Sequence, residues 1–506
     1  MTAKAAREIE LKFALPIAKV GDITAAFPEL AEARPKLLLA TYYDTPKWVL
    51  RRAAIALRVR CQGDVFIQTL KDSGDGGIRR GEWEARVPGP DLDLAVLRGT
   101  PAARFLAKAS HLAPVFTVEA RRRCVEVAEG ESRIELSLDE GRIKARGETA
   151  AFAELELELK SGPQWGLFTL ARRVASAGDL TLSFTSKAER GFALARPPRS
   201  FASKFTSPAL LAEMTAGEAF QRVAIACLRQ IIANAERLRV RASPEVIHQL
   251  RVGLRRFRSL LTSFSAVVTD ARLPAIKAEL KWLTGELDTA RNLDVLLQGD
   301  YRAAVATKED ADGLRGLGLR LRGARRLAYV RSVTAVEGER FRRLLVDLLV
   351  WIEAGPWTAS EARSEARQQP VRRFAADELG RRRRKIVRRG RDLRALDPLA
   401  RHKLRIEAKK LRYSADVFIG LFHRPKRAKA FLNALKEVQD ALGELNDIVV
   451  GERLAHEAAV APGRSAADSA FAAGRISGVQ KARVDPLLDQ AESAIEALGD
   501  VKPFWK

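Results

Sequence analysis

Glu8-Ile9-Glu10-Leu11-Lys12-Phe13 alternates a charged side chain with an apolar one at every step. A period of two belongs to a β-strand, whose successive side chains point to opposite faces. The same beat returns in Leu57-Arg58-Val59-Arg60, in Glu82-Trp83-Glu84, and in Ile134-Glu135-Leu136-Ser137-Leu138-Asp139. It runs longest in Glu154-Leu155-Glu156-Leu157-Glu158-Leu159-Lys160. Turn-forming clusters at Asp44-Thr45-Pro46, Ser73-Gly74-Asp75-Gly76-Gly77, Glu129-Gly130 and Glu140-Gly141 separate the runs. Helical stretches are expected at 16–30, 100–110 and 163–177. An ordinary half-exposed sheet shows a mixed polar face. Here strand after strand carries full charges. A single such strand reads as a solvated face; the repeated pattern points to a closed barrel with acid and base lining a polar interior.

Beyond Pro197-Pro198 the period changes. From about residue 210 the chain reads as long amphipathic helices rich in Leu, Ala, Arg and Glu. The expected class is α+β in two domains. The charge-lined barrel is expected over residues 1–198, a linker over 199–208, and an all-α part over 209–506. The helical part repeats internally, over about 210–355 and 365–500. His248-x-x-Arg251-x-x-x-Arg255-Arg256-x-Arg258 matches His402-x-x-Arg405-x-x-x-Lys409-Lys410-x-Arg412 at a constant offset of 154. Leu287-x-x-x-Arg291-Asn292 aligns with Leu442-x-x-x-Asn446-Asp447. Duplication of a supersecondary unit accounts for this better than chance.

Composition narrows the partners. Across 506 residues, 88 Lys and Arg face 63 Asp and Glu, a formal charge of +25. The excess is concentrated: residues 1–200 hold 32 basic and 26 acidic side chains, the remainder 56 and 37. Such a field attracts a polyanion. No apolar run of membrane-spanning length occurs, and charged Arg7, Glu8, Glu10 and Lys12 stand where a secretory core would be, so no membrane and no signal peptide are expected. Three cysteines without CxxC spacing fit a reducing cytoplasm, and Cys61 and Cys124 are expected as buried strand residues. The helical part has no helix-turn-helix, zinc or aromatic stacking signature, so no specific nucleic acid is expected.

Glu8 and Glu10 share one strand face, with Lys12 two residues on. Paired carboxylates suit a hard cation, Mg²⁺ or Mn²⁺, that keeps waters and substrate phosphates in its shell. Arg58, Arg60, Lys71, Arg121, Arg123 and Lys187 complement phosphate oxygens. Glu154, Glu156 and Glu158 supply a second acidic patch. Acid and base together fit a metal-bridged polyphosphate group better than nucleic acid.

The Glu8-Ile-Glu10-Leu-Lys12 stretch resembles the ExExK signature of the CYTH family, the triphosphate tunnel metalloenzymes. The resemblance extends over about residues 5–195 through Tyr43-Asp44-Thr45, Ala56–Arg60, Thr69-Leu70-Lys71, Glu82-Trp83-Glu84, Glu154–Lys160 and Ser186–Gly191. It implies an eight-stranded antiparallel tunnel that binds triphosphate and divalent metal and hydrolyses inorganic or organic triphosphates. On that resemblance Glu8, Glu10, Glu156 and Glu158 are the metal carboxylates, with one carboxylate more on the last strand than the usual pair. Lys12, Arg58, Arg60, Lys71, Arg121, Arg123 and Lys187 hold phosphate, and Glu10, Lys12 and Glu158 carry the chemistry. Glu82, Glu84 and Asp139 are tunnel residues without an assigned role.

The repeats resemble the CHAD domain over about 210–500, through the two His-x-x-Arg stripes and Leu442-Gly-Glu-Leu-Asn446-Asp447. That resemblance implies a pair of four-helix bundles with a basic groove for inorganic polyphosphate, held by His248, Arg251, Arg255, Arg256, Arg258, His402, Arg405, Lys409, Lys410 and Arg412. Arg291-Asn292 departs from the more usual Arg-Asp pair. The leading expectation is a cytoplasmic inorganic triphosphatase tethered to a polyphosphate-binding domain, with association to polyphosphate granules. The alternatives are a non-catalytic polyphosphate-binding protein and a thiamine or nucleoside triphosphatase, for which Tyr42, Tyr43 and Trp83 are the candidate base-stacking residues.

Overall fold

The computed structural model describes residues 4–72, 77–106, 111–198, 200–307, 309–460 and 466–506. The turn expected at 73–77 and the end of the helix expected at 100–110 fall largely outside them. The alternating segments form strands: β1 (Lys4–Leu15), β2 (Lys36–Asp44), β3 (Ile55–Gln62), β4 (Val65–Asp72) and β5 (Arg79–Val87). These are followed by β6 (Ala113–Glu129), β7 (Ser132–Ala145), β8 (Glu148–Ser161) and the two-residue β9 (Thr181–Leu182). Their order is β5-β4-β3-β2-β6-β7-β8-β1-β9, with β1 also pairing β5. Eight antiparallel strands therefore close on themselves, leaving β9 as an appendage.

One strand achieves the closure by serving two neighbours. The first part of β1 pairs with β5, Glu8 opposite Arg80, and the second with β8, Glu10 opposite Glu158 and Lys12 opposite Glu156. The apolar partners in the alternation point outward. Leu11, Phe13, Leu136, Leu138, Leu155 and Leu157 are at most 2% exposed. The helix Gln164–Ser176 covers β7 and β8 and buries Leu167, Phe168, Leu170 and Val174. The usual arrangement is inverted: grease outside under a helix, charge inside.

The interior is not charged throughout. Phe116, Val118, Ala120, Tyr42, Ile143 and Phe152 form an apolar cluster with Ala188, Phe192 and Ala195 of the helix Lys187–Ala195. This helix starts on a Ser186–Glu189 capping box and stoppers that end of the barrel.

Grouped by contacts, the first unit comprises Met1–Ser203 and Glu337–Ala354; the second comprises Lys204–Val336 and Gly355–Lys506. Boundaries read from the sequence kept 337–354 with the rest of 209–506. The helix Glu339–Ala354 buries Phe341, Leu344, Leu345, Leu348, Leu349, Trp351 and Ile352, and it packs on Gln164–Ser176. A helix so apolar around its circumference needs cover on several sides.

In the second unit the first repeat supplies the long helices Ala216–Val240, Pro244–Ser263, Leu273–Gln298 and Ala311–Glu337. The second supplies five rather than four: Val371–Arg389, Pro398–Phe418, Pro425–Ala459, Ala466–Lys481 and Val484–Asp500. The duplication shows in the caps. Ser243 before Pro244 and Asp397 before Pro398 each accept from the amide three residues on, opening the two His-x-x-Arg helices alike.

Candidate functional site

The charged end of the barrel encloses about 300 Å³. Glu8, Glu10 and Lys12 enter it from β1, Arg58 and Arg60 from β3, Lys71 from β4, and Glu156 and Glu158 from β8; Lys187 comes from the stopper helix. The structure brings these sequence-chosen residues onto one cavity. Glu82 and Glu84, expected as tunnel residues, line it too, and Arg80, Glu135, Ser137, Lys160 and Ser186 join them without having been singled out in the sequence.

Arg121 and Arg123 are placed elsewhere. Arg121 is exposed, Arg123 bonds Glu140 at 2.8 Å, and Arg122 between them faces the cavity. Three consecutive arginines satisfy either parity, and the reading took the apolar parity as outward. On β6 that rule fails, because Phe116, Val118 and Ala120 share Arg122's face and fill the stoppered end. Cys124 follows the same parity and lies half-buried, its Sγ 2.7 Å from Ser137 Oγ, rather than among apolar residues. Cys61 is likewise only half-buried.

Most cations are already committed to carboxylates. Arg122 grips Asp139 through Nε at 2.7 Å and Nη2 at 2.6 Å and reaches Glu156 at 2.6 Å. Lys187 pairs with Asp139 at 2.7 Å, with Glu156 at 2.9 Å and with Glu154. Lys12 sits 2.8 Å from Glu156, 3.2 Å from Glu10 and 3.5 Å from Glu154. Although Asp139, Glu154 and Glu156 lie close enough together to hold a cation, four basic side chains already pair with them, Arg122, Lys187, Lys12 and, 3.1 Å from Glu154, Arg190. They form an acidic cradle for these cations. Glu156 is held well below the usual carboxylate range; burial opposes this, but Lys12, Lys187 and Arg122 prevail.

The opposite wall is arranged differently. Lys71 bonds Glu8 at 2.7 Å and Glu82 at 3.0 Å. Burial pushes Glu82 up to about 8, reinforced by its hydrogen bond with Glu8. Despite burial, that bond and Lys71 hold Glu8 down to about 2, so the shared proton rests on Glu82. Burial also raises Glu158.

Several groups have unspent capacity. The buried Oε1 of Glu10 makes no hydrogen bond and only the 3.2 Å ion pair with Lys12, and Nε of Arg58 and of Arg60 finds no acceptor among the described residues. Unsatisfied buried groups of both signs in one cavity point to a missing ligand that carries both signs. Glu8, Glu10 and Glu158 are oxygen-only donors of the kind a divalent cation such as Mg²⁺ or Mn²⁺ takes, whereas Glu156, expected with them, is already paired with Lys12, Lys187 and Arg122.

A second cavity, of about 900 Å³, lies in the second unit where the helices Pro244–Ser263, Leu273–Gln298, Pro398–Phe418 and Pro425–Ala459 converge. His248, Arg251, Arg255, Arg258, His402, Arg405, Lys409 and Lys410 line it. Arg256 and Arg412 do not. The Arg256 guanidinium is sandwiched between Phe205 and Tyr413, 4.0 and 4.8 Å from the ring centres, and Arg412 bonds Asp416 at 3.0 Å. Arg256 stands one position off the stripe, whereas Arg412 lies on it, ten residues after His402, and turns instead to Asp416 and the Leu432 carbonyl. Lys277 and Lys281 add charge that the repeat comparison could not show, and Arg291, singled out by the Leu287–Asn292 alignment, joins them.

The Arg291-Asn292 departure has a structural answer. Arg405 lies 3.6 Å from Asp447, whereas Arg251, facing Asn292, takes Asp288 one turn earlier at 2.6 Å. Burial and the surrounding arginines push Lys409 down to about 7 and His248 to about 4. His402 is oriented by Asn446. The pocket holds repelling cations close together, which an anion would relieve.

The CYTH domain family model matches residues 6–192, and the CHAD domain family model matches 222–456. The chain is 32% identical over 196 residues to an inorganic triphosphatase of Haemophilus influenzae, across 37% of this chain and 55% of that protein. It therefore spans about half the length of that curated relative. Among solved structures, the CHAD domain of the plant Ricinus communis superposes with a TM-score of 0.52 at 29% identity. That match covers 60% of this chain and 98% of the plant chain. Among the described residues no helix is long and apolar enough to cross a membrane.

Proposed function

We propose that this chain, in which a CYTH domain is followed by a CHAD domain, hydrolyses inorganic triphosphate to diphosphate and phosphate in its barrel and binds inorganic polyphosphate in its helical pocket. The observation that carries the first part is the barrel cavity itself: guanidinium groups with unspent donors share it with the buried Glu10 carboxylate, whose Oε1 makes no hydrogen bond and only a 3.2 Å ion pair with Lys12. Triphosphate with a divalent cation supplies both complements. The inorganic triphosphatase from Haemophilus influenzae, similar over the same part of the chain, supports the reading.

Of the expected metal carboxylates, Glu8, Glu10 and Glu158 would hold the Mg²⁺ or Mn²⁺, which when bound neutralises phosphate oxygens and polarises water, Glu156 being taken up by the cations around it. Arg58, Arg60 and Lys71 take the phosphate oxygens from one wall; Lys12, Arg122 and Lys187 take them from the other. The cradle of Asp139, Glu154 and Glu156 keeps this second set in place before substrate arrives, so little reorganisation is needed as charge develops. Glu158 lies against Glu10 in the β1–β8 ladder, where it can orient the attacking water. Water adds to a terminal phosphorus, the bridging P–O bond breaks, and diphosphate leaves.

Nucleoside and thiamine triphosphates fit less well. Tyr42 is buried and stacked on Phe116 at 4.5 Å, the Tyr43 hydroxyl bonds the Pro90 carbonyl, and neither they nor Trp83 line the cavity. Among the described residues no aromatic side chain lines it as a platform for a base.

For the helical part, the support is a cavity rich in cations that repel one another and are only partly paired. A flexible phosphate chain without bases needs nothing else. Phosphate release by the full chain from triphosphate, ATP, thiamine triphosphate and long polyphosphate tests the proposal. Triphosphate should be preferred by more than about tenfold; equal turnover of ATP would refute the substrate assignment.

A further inference from the structure

The first residue of β5 is held by a residue 274 positions further along the chain. Arg79 Nη1 donates to Glu353 Oε2 at 2.5 Å, and its Nη2 donates to Gln164 Oε1 at 3.1 Å. Glu353 belongs to the helix Glu339–Ala354 of the first unit, and its side chain is 4% exposed against 38% for Arg79. The carboxylate is thus the fixed partner, and the strand end is what it restrains.

What hangs on that strand end is the metal side of the cavity. Arg79 opposes Ile9, the next pair is Arg80 opposite Glu8, and the Ile78 carbonyl accepts from the Glu10 amide at 3.0 Å. This is where β1 parts from β5 and turns to β8. Side chains alternate along a strand, so Arg79 points out to its anchor while Arg80 points into the cavity. The backbone that sets Glu8 and Glu10 is therefore pinned from outside.

We propose that Glu353 is a positioning residue of the barrel site: by holding Arg79 it fixes the branch of β1, and with it the spacing of Glu8, Glu10 and Arg80. Residues from the later part of the sequence thereby set the cavity's affinity for a divalent cation. The inference rests on the reading of Glu8 and Glu10 as metal ligands. Partners behind a first ring of ligands commonly change metal affinity by about 10–100-fold when lost. Glu353 acts one step further away, through the backbone, and an effect of about five- to tenfold is expected.

The test uses the full chain with Mn²⁺ as the probe. Mn²⁺ dissociation constants are read by electron paramagnetic resonance for the wild type, Glu353→Ala, Glu353→Gln, Arg79→Met and the Glu353→Ala/Arg79→Met double variant. KM and kcat for triphosphate and the melting temperature are measured beside them. Glu353→Ala should weaken Mn²⁺ about five- to tenfold and raise KM, with kcat at saturation within about twofold. Glu353→Gln, which keeps an acceptor for Arg79, should lose less. The double variant should be no worse than the poorer single one, because both remove the same restraint. A lower melting temperature with unchanged Mn²⁺ affinity in the folded variants would show a merely structural pair and overturn the proposal. Should Glu353→Ala fail to fold, Glu353→Gln and Arg79→Met decide it on the same scale. Wild type that binds Mn²⁺ but leaves triphosphate intact refutes the catalytic reading alone, and the Mn²⁺ series still decides this one. Wild type that binds no Mn²⁺ refutes both.

Discussion

Replacing Asp139 by alanine removes the keystone of the cation cradle. Asp139 has no exposed surface, accepts two bonds from Arg122 and pairs with Lys187. Deleting one member of a buried ion pair costs about 3–5 kcal/mol, mostly the penalty of a stranded charge. Here the stranded charges keep partners, since Arg122 retains Glu156 at 2.6 Å and Lys187 retains it at 2.9 Å. The loss should lie near the lower bound, about 3 kcal/mol. For a unit of this size about 2–4 °C of melting temperature follows each kcal/mol, so the barrel transition should fall by about 6–12 °C. Differential scanning calorimetry of the full chain reads it. The pH dependence is a second check. Burial opposes ionisation of Asp139, but Lys187 and Arg122 hold its carboxyl below the usual value. Its stabilisation is therefore present above the unfolded-state value, about 4, and is lost as pH falls through the lower folded value. The gap between wild type and variant should persist from pH 5 to 8 and narrow only in stronger acid. A drop under about 2 °C, or a gap that closes at pH 6, would refute the cradle as described.

Other consequences follow from the same geometry. EDTA should abolish triphosphate hydrolysis, and Glu10→Ala should lower its rate by about 10²-fold even with Mn²⁺ in excess, measured as phosphate release. Gly191→Ala would drive a methyl group to 2.1 Å from the Phe116 ring, shifting the helix that carries Lys187. It should cost about 1–3 kcal/mol, read from denaturant midpoints, and raise KM for triphosphate. In the helical pocket burial and Arg405 and Arg255 leave Lys409 near 7. A docked phosphate favours its charged form, so affinity for long polyphosphate should fall roughly tenfold between pH 7 and 8.5. Lys409→Arg, charged throughout, should flatten that slope in calorimetric titrations; an equal slope would refute the role of Lys409.

Period-two alternation revealed the barrel because each charge on β1, β3, β5, β7 and β8 stands beside an apolar residue of opposite face. It failed on β6, where one face is apolar at Phe116–Ala120 and charged at Arg122, and no local rule tells inside from outside. The repeat exposed the two His-x-x-Arg stripes, since duplicated chemistry survives comparison within one chain. Lys277 and Lys281 stayed hidden because their helix reaches the pocket only through tertiary packing. Nothing in the sequence around Glu353 marks it as a partner of Arg79. An ordinary Trp351-Ile352-Glu353 helix end acquires its meaning from a contact 274 residues away.

The central claim is that the barrel cavity is built for a metal-bridged triphosphate. Its most direct test is product analysis of triphosphate incubated with the full chain, resolved by ³¹P nuclear magnetic resonance, with Mg²⁺ or Mn²⁺ and again with EDTA. The account expects one diphosphate and one phosphate per triphosphate with metal, and none without. Intact triphosphate in the presence of either cation, or hydrolysis undiminished by EDTA, would contradict it.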